Sequence, residues 1–434
     1  MVGAIKKNLV LFLLSKTVAV LGSNIYGFAI SWYILAETGS ALNFGVALLL
    51  STLPRVLLSP IAGTLSDRWN RKRIIITSDF ACAIWLAIVL LLFSFVNQEI
   101  WLLYLATVVL SILNTFYSSA VTSAIYNMVG PNYLQKAMSL NQGVVSLSGV
   151  LAPALAGIFF VIFPITTFMI INIIAFIISG IASILINYEL FAEKKEKKQE
   201  TSIFADLKFG LFYVKTQPLL LHLIVIFFFI NFWFSVYPVT IPYLVTTIRG
   251  MEEFHLGFIN STFAAGMMLM AIIFSARAEV KRTELALFGG VGSLAIVLIL
   301  IGLPSFPSMI QVSNMIILPY LMLMVLILSS SIMIINLPIQ VLIQKSTPDD
   351  YRGRVMSLIE TGTSAMVPLG YLIFGVLLEI IPAWILLGIC GVSIISFIVY
   401  HIRNKVVIQL LREADQTKNR VLEGESVVNK SEVL

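Results

Sequence analysis

The sequence predicts an all-α membrane protein with twelve transmembrane helices, and three observations support this fold class. The chain has 434 residues, of which 59% are hydrophobic and 12% charged, and its mean hydropathy of +0.98 is far above that of a soluble globular protein. Long apolar runs recur twelve times, each near the roughly 20 residues that a helix needs to cross a bilayer. Finally, nearly all cations between these runs fall on one side.

The spans follow one another in chain order with short polar connections. They are predicted at 9–36, 44–66, 73–96, 100–126, 137–161, 165–188, 218–247, 254–278, 283–303, 313–343, 353–378 and 382–402. With this layout, 25 of the 28 Lys and Arg residues lie on the same side as the N-terminus. The exceptions are Arg249 in an outside loop and Lys16 and Arg55 within spans. The bias predicts that both termini are cytoplasmic.

The sequence argues against several classes of function, because it lacks their motifs or does not have the required residues at the required spacing. Cys82 and Cys390 both fall inside apolar spans, and no His or Cys group has metal-ligand spacing. No phosphate-binding Gly-x-x-x-x-Gly-Lys-Ser/Thr motif occurs, so direct use of ATP is not expected. The net charge of +6 comes from loop cations rather than from a nucleic-acid-binding face. We therefore expect no enzyme activity, cofactor, metal site or nucleic-acid partner.

A charged segment between the second and third spans has the pattern Gly-x-Leu-x-Asp-Arg-x-x-Arg-Lys-Arg. Its key residues are Gly63, Asp67, Arg68, Arg71 and Lys72. A glycine permits close approach of a neighbouring helix, the aspartate is a hydrogen-bond acceptor at a helix end, and the cations hold the loop on the cytoplasmic side.

This pattern resembles the signature that the major facilitator superfamily carries between its second and third helices. The resemblance implies two pseudo-symmetric six-helix bundles at 1–188 and 218–402, a cytoplasmic linker at 189–217 and a cytoplasmic tail at 403–434. A short amphipathic piece of the tail, near 406–411, is expected along the membrane surface.

The resemblance also implies a conformational latch. Asp67 would lie against the start of the eleventh helix, near Gly353 and Arg354, where exposed N–H groups and the helix dipole favour an anion. The cations of the loop, Arg68, Arg71 and Lys72, belong to the same latch.

An internal repeat supports the duplicated architecture. The tripeptide Met-Ser-Leu at 138–140 recurs at 356–358, in each case at the start of the fifth span of a half. The same offset places Gln142 opposite Glu360. Such repeats are typical of transporters that bind substrate between two related halves, near the middle of the bilayer.

The fifth span also contains small residues and a proline. Pro153 weakens the helical hydrogen-bond ladder and Gly157 allows close packing, and Pro368 is the corresponding proline of the second half. The segment resembles a glycine-proline motif of exporters in the superfamily. Ordinary close packing of small residues is the alternative interpretation.

We select three ionisable residues that lie inside predicted spans, where such residues usually face a wet cavity or a partner. They are Lys16, Arg55 and Glu360. One hypothesis is that Glu360 exchanges protons and that a cation tunes it. The alternatives are a structural ion pair or a lysine that reaches the membrane surface.

Polar and aromatic residues in the spans provide candidates for a substrate cavity. We select Asn24, Tyr26, Gln142, Asn231 and Tyr237, which could line an amphipathic pocket. Packing between helices is the alternative for each of them.

Together with Leu53-Pro54-Arg55 and the segment 351–358, these features resemble the twelve-span exporter branch that includes bacterial macrolide-efflux proteins. The resemblance implies a monomeric exporter of hydrophobic or amphipathic molecules, drug-like or macrolide-like, in a bacterial cell membrane, driven by proton antiport. A siderophore exporter or a nutrient importer on the same fold stays open, as does a non-transporting receptor or assembly factor.

Overall fold

A computed structural model shows a helical protein in which twelve helices are long and apolar enough to span a membrane, so the predicted fold class and number of spans are confirmed. In the part of the chain that the structure describes, no β-strand is present. The structure describes residues 2–95, 99–191, 212, 214–276, 280, 282–346, 359 and 361–422.

The first six helices each correspond to one predicted span. They are α1 (Val2–Thr38), α2 (Ala41–Arg68), α3 (Arg71–Phe95), α4 (Ile100–Val129), α5 (Pro131–Ile162) and α6 (Ile165–Leu185). Helix α1 packs on α5 and α6, α2 packs on α4, and α3 packs on both α4 and α6.

The remaining helices include one span that changes its winding. The seventh span comprises α7 (Pro218–Phe234), α8 (Val236–Pro242) and a π-helical turn (Tyr243–Ile248). The later helices are α9 (Glu253–Ala276), α10 (Thr283–Gly302), α11 (Asn314–Ser346), α12 (Val367–Ile380), α13 (Ala383–Asn404) and α14 (Val406–Leu422). Helix α10 packs on α11 and α13.

The chain forms two compact units. The first consists of Met1–Glu200, Pro238–Ala264 and Pro368–Ile380, and the second of Thr201–Tyr237, Ala265–Val367 and Ile381–Leu434. The division of the sequence into bundles at 1–188 and 218–402, with a linker and a tail, stays a prediction.

Local sequence determines where several helices begin and end. Ser40 is the N-cap of α2, and its hydroxyl accepts a hydrogen bond from the N–H of Asn43 at 3.2 Å. Gly130 has a φ of +73°, which favours glycine. It ends α4, and Pro131 then begins α5, where a missing N–H costs no helical hydrogen bond.

The tail helix α14 differs from the expectation of a segment lying along the membrane surface. Val407 and Leu411 are almost fully buried, and α14 contacts α7, α10, α11 and α13. Its buried Asp415 accepts hydrogen bonds from the N–H and the hydroxyl of Thr283, at 2.8 and 2.7 Å. The apolar side of α14 therefore packs on protein, because the start of α10 provides a specific partner.

Candidate functional site

The charged segment between α2 and α3 is a very short connection. Only Trp69 and Asn70 separate the two helices, and the Asn70 side-chain oxygen accepts a hydrogen bond from the N–H of Arg73 at 3.1 Å. Arg71 donates to the carbonyl of Ser66 at 3.3 Å and, through Nη1, to that of Ser123 at 2.8 Å. The arginine therefore connects the end of α2 to α4.

Lys72 provides hydrogen-bond donors for carbonyl groups at the end of another helix, α6. Its Nζ donates to the carbonyl oxygens of Ile184 and Ile186, at 2.8 and 2.9 Å, next to the end of α6. The last carbonyls of a helix have no partner within the helix, and a cation there is also favoured by the helix dipole. From the sequence, Lys72 was expected to orient the loop and to belong to the latch, and its contact with the end of α6 was not predicted.

We expect Lys72→Ala to lower the stability of the folded protein by about 1 kcal/mol, because two carbonyls lose a charged donor. Thermal unfolding of the purified protein in detergent measures the change. Lys72→Arg is the matched control, since it keeps the charge and the donors. A melting temperature of Lys72→Ala equal to that of the wild type would contradict this assignment.

The predicted latch can be placed only in part. Asp67 and Arg68 lie in the last turn of α2, but their side chains, together with Gly353, Arg354 and Glu360, lie outside the described residues. Among the described atoms, a Cβ added at Gly63 would come nearest to the hydroxyl of Ser119, at 3.9 Å. That is an ordinary van der Waals distance, so the described helices do not themselves require glycine there.

Lys16 lies inside the first compact unit and is 7% exposed. Its Nζ lies 5.1 Å from the centroid of the Tyr117 ring, a distance suited to a cation–π interaction. It also interacts electrostatically with Asp79 of α3. Arg55, the other cation selected from the sequence, has an exposed side chain.

Asp79 is an ionisable residue that the sequence-based selection missed. It is 1% exposed, and one carboxylate oxygen, Oδ2, accepts a hydrogen bond from the Ser179 hydroxyl at 2.8 Å. The signal was available, since Asp79 lies about one and a half turns inside the apolar run that begins at Ile74. A carboxylate at that depth is a candidate functional group by the same argument that selected Lys16.

The candidates for a substrate cavity occupy different environments. Asn24 is exposed, whereas Tyr26 is 4% exposed and belongs to a hydrophobic core with Ile30 and Leu86. Gln142 lies on α5, with its side chain outside the described part of the structure. The first unit therefore does not gather these three side chains into one described cluster.

In the second unit, Asn231 is half-buried on α7 and its side-chain amide donates to the carbonyl of Thr363 at 3.1 Å. Half-buried aromatic residues surround it along the same helix, namely Phe229, Phe232 and Trp233. Tyr237 follows at the boundary of the two units and stacks on Phe234, with ring centroids 5.6 Å apart.

The proline and glycine of α5 take part in a close helix contact. A Cβ added at Gly257 of α9 would lie 3.1 Å from the carbonyl oxygen of Pro153 and 3.3 Å from the Cα of Gly157. The small residues thus allow two backbones to approach, as such residues do in membrane helices. Pro368 is buried in the first turn of α12.

A second close contact, between α2 and α12, was not predicted. A Cβ at Gly45 would lie 2.5 Å from the carbonyl oxygen of Tyr371, and one at Gly375 would lie 3.0 Å from that of Ala41. Nearby, the carboxylate of Glu379 accepts hydrogen bonds from the Ser40 hydroxyl and from the N–H of Leu42. An anion at the start of α2 is favoured by the helix dipole. These residues lie at the end of α2 predicted to face outside.

Comparison with known proteins identifies the family. The family model of the Major Facilitator Superfamily matches residues 12–365. The chain is 25% identical over 422 residues to the MFS-type transporter YfiS of Bacillus subtilis (strain 168), covering 96% of this chain and 98% of the relative. It is 21% identical to macrolide efflux protein A of Streptococcus pyogenes over 363 residues, covering 82% and 86%. With the multidrug efflux pump Tap of Mycolicibacterium fortuitum the identity is 23% over 384 residues, covering 86% and 89%.

Solved structures show the same fold. A bacterial homologue of the iron transporter ferroportin in the inward-facing state superposes with a TM-score of 0.63 at 16% identity, covering 96% of this chain and 99% of that one. A POT family transporter in complex with a thioalcohol-conjugated peptide gives a TM-score of 0.68 at 12% identity, covering 92% and 96%. The protein is a multi-pass membrane transporter rather than an enzyme, and the chain belongs to the Major Facilitator Superfamily.

Proposed function

We propose that the protein exports a hydrophobic or amphipathic small molecule, drug-like or macrolide-like, across a bacterial cell membrane by proton antiport. Two of the relatives are named as efflux proteins, for macrolides and for multiple drugs. Both termini would lie in the cytoplasm, and the monomer would be the working unit. Alternation of a single site between the two membrane faces would carry the substrate across.

The observation that carries the proposed substrate class is the character of α7 around Asn231. The helix presents half-buried aromatic rings and a single amide that is tied to the Thr363 carbonyl. Such a surface suits a bulky apolar molecule with a few polar groups better than a strongly charged one. Asn24, Tyr26, Gln142 and Tyr237 remain candidates for further substrate contacts.

Coupling and alternation require groups whose charge or contacts change. Glu360 is the candidate that follows from the sequence for proton exchange, with Arg55 or Lys16 as the cation that tunes it. Asp67 with the cations of its loop, facing Gly353 and Arg354, is the proposed latch on the cytoplasmic face, and Pro153, Gly157 and Pro368 are proposed as bending or packing points. Exposed N–H groups at a helix start would stabilise the Asp67 carboxylate in the latched state.

Flux measured in proteoliposomes tests this function. Purified protein should move a macrolide or a lipophilic dye against its gradient when a pH gradient is imposed, and a protonophore should abolish the movement. A siderophore in the same panel tests the alternative substrate class. Transport only in the inward direction would indicate an importer, and no flux of any compound would favour a receptor or an assembly factor.

A further inference from the structure

A buried polar cluster in the first compact unit contains Lys16, already proposed to tune proton exchange, and Asp79, which has no role in the function proposed so far. Asp79 of α3 and Lys16 of α1 are 1% and 7% exposed, and both lie within segments that span the membrane. Ionised groups at such depth are costly and usually serve ion or proton movement. The cluster is therefore a candidate site in its own right.

The two charges interact without a close ion pair. Asp79 accepts its hydrogen bond from the Ser179 hydroxyl, while Lys16 Nζ lies over the ring of Tyr117. Among the described residues, no Lys16–Asp79 pair falls within the 4.0 Å expected of a salt bridge. The pair attracts through space, so protonation of the carboxylate does not require a direct salt bridge to be broken.

Hydroxyl groups continue from Asp79 toward the end of α6. The Ser179 hydroxyl donates to the carboxylate, so its oxygen is free to accept from the Ser15 hydroxyl, 2.9 Å away. Ser15 is in turn 3.5 Å from the Ser183 hydroxyl. Hydroxyls both donate and accept, so this chain can pass a proton by reorienting.

Tyr188 lies at the far end of this hydroxyl chain, beyond the end of α6 and beside Ser183. Burial raises the pKa of the Tyr188 phenol to about 12, so the phenol keeps its proton near neutral pH and remains a hydrogen-bond donor. The chain therefore leads from the buried carboxylate toward the end of α6 that is predicted to face the cytoplasm.

The charged and titratable groups around Asp79 favour a proton over a metal cation. Lys16 faces it from α1, Tyr117 from α4 and Tyr188 from the segment after α6, and Cys82 lies on its own helix. The single carboxylate already has the Lys16 ammonium group nearby, so a metal cation would meet repulsion from Lys16. A proton instead neutralises the carboxylate directly.

We propose that Asp79 is a proton-binding group of the transport cycle and that Lys16 is the counter-charge that couples its protonation to α1. This inference rests on the proposed proton antiport. Helices α1 and α3 both pack on α6, and when Asp79 is ionised, its attraction for Lys16 draws α1 toward α3. Protonation removes that attraction, and α1 also carries Asn24, about 12 Å further along the helix at 1.5 Å per residue. Proton binding and substrate binding would thus act on one helix.

Infrared spectroscopy of the purified protein tests the proton site without a substrate. We expect a pH-dependent C=O band of a protonated buried carboxyl group, and we expect Asp79→Asn to remove it. Glu99→Gln, which changes an exposed carboxylate before α4, is the control and should keep the band. A wild-type protein without such a band, or a band that persists in Asp79→Asn, would overturn the proposal.

Flux in proteoliposomes tests the coupling. Asp79→Asn should lose uphill transport driven by a pH gradient while keeping downhill exchange of the same substrate, a combination that a merely structural role would not produce. If Asp79→Asn fails to fold, the double variant Lys16→Met/Asp79→Asn, which removes both charges, replaces it with the same expectation. Uphill transport retained by either variant would refute the role of Asp79.

The two proposals fail in different ways. If the wild type shows proton-driven flux and Asp79→Asn keeps that flux, the proton-binding role of Asp79 is rejected and the proposed export function still stands. A carboxyl band that Asp79→Asn removes, in a protein that moves none of the compounds, rejects the proposed exporter and identifies Asp79 as a proton site only.

Discussion

Gly45→Val is expected to abolish transport, because the substitution places atoms where the backbone of α12 already lies. A Cβ at position 45 would be 2.5 Å from the carbonyl oxygen of Tyr371, and a backbone atom cannot rotate away as a side chain can. Overpacking of this kind costs about 1–3 kcal/mol where neighbours can adjust, and more where they cannot. The close contact between α2 and α12 should therefore open.

Spin labels at Glu37 and Ile380, both exposed, report this contact by pulsed electron paramagnetic resonance. Their separation should increase in Gly45→Val, and substrate flux should be lost. Gly27→Ala on α1 is the control, since a Cβ there meets no described atom within 4 Å and alanine in a helix is about 1 kcal/mol better than glycine. An unchanged distance in Gly45→Val would show that the contact does not depend on glycine.

Asp415→Ala should detach α14 from the rest of the second unit. The carboxylate accepts from both the backbone N–H and the hydroxyl of Thr283, which is fully buried at the start of α10. Leaving a buried N–H without its charged acceptor, and losing a helix cap, should together cost about 2–4 kcal/mol. Helix α14 keeps a second polar contact with α10, in which Arg412 Nε donates to the Glu284 carboxylate at 3.1 Å, so the loss should be local to the contact with Thr283.

Limited proteolysis measures the detachment, with cleavage within 406–422 expected to become faster in Asp415→Ala. Gln416→Ala, at the exposed neighbouring position, should stay within about 0.5 kcal/mol of the wild type, as most surface substitutions do. Equal cleavage of the two variants would mean that α14 stays packed on the second unit without Asp415, through other contacts such as those of the buried Val407 and Leu411.

The twelve spans could be predicted because hydropathy is a local property that adds along the chain. Each predicted interval overlaps one apolar helix, and the pattern around Asp67 was sufficient to indicate the family. The connection between the second and third spans was expected at 67–72, and in the structure it is shorter, because α2 extends to Arg68 and α3 begins at Arg71.

The polar partners could not be predicted in the same way, since they depend on which helices meet. Lys16 was selected for its depth in a span, but the packing of both α1 and α3 on α6 that brings it near Asp79 is a tertiary property. The same holds for Gly45 and Gly375, which look like any other glycines in an apolar run until α2 and α12 approach each other. Tyr26 was selected for its aromatic ring, and its position in a hydrophobic core likewise depends on how α1 packs.

The two-residue join between α2 and α3 has a mechanical consequence. Asn70 caps the start of α3 and Arg71 bonds back to the end of α2, so the join has no slack in which one helix could tilt alone. Lys72 fastens the same corner to the end of α6. A displacement of any one of these three helices is thus transmitted to the other two. We therefore expect these ends of α2, α3 and α6 to move together as one rigid unit.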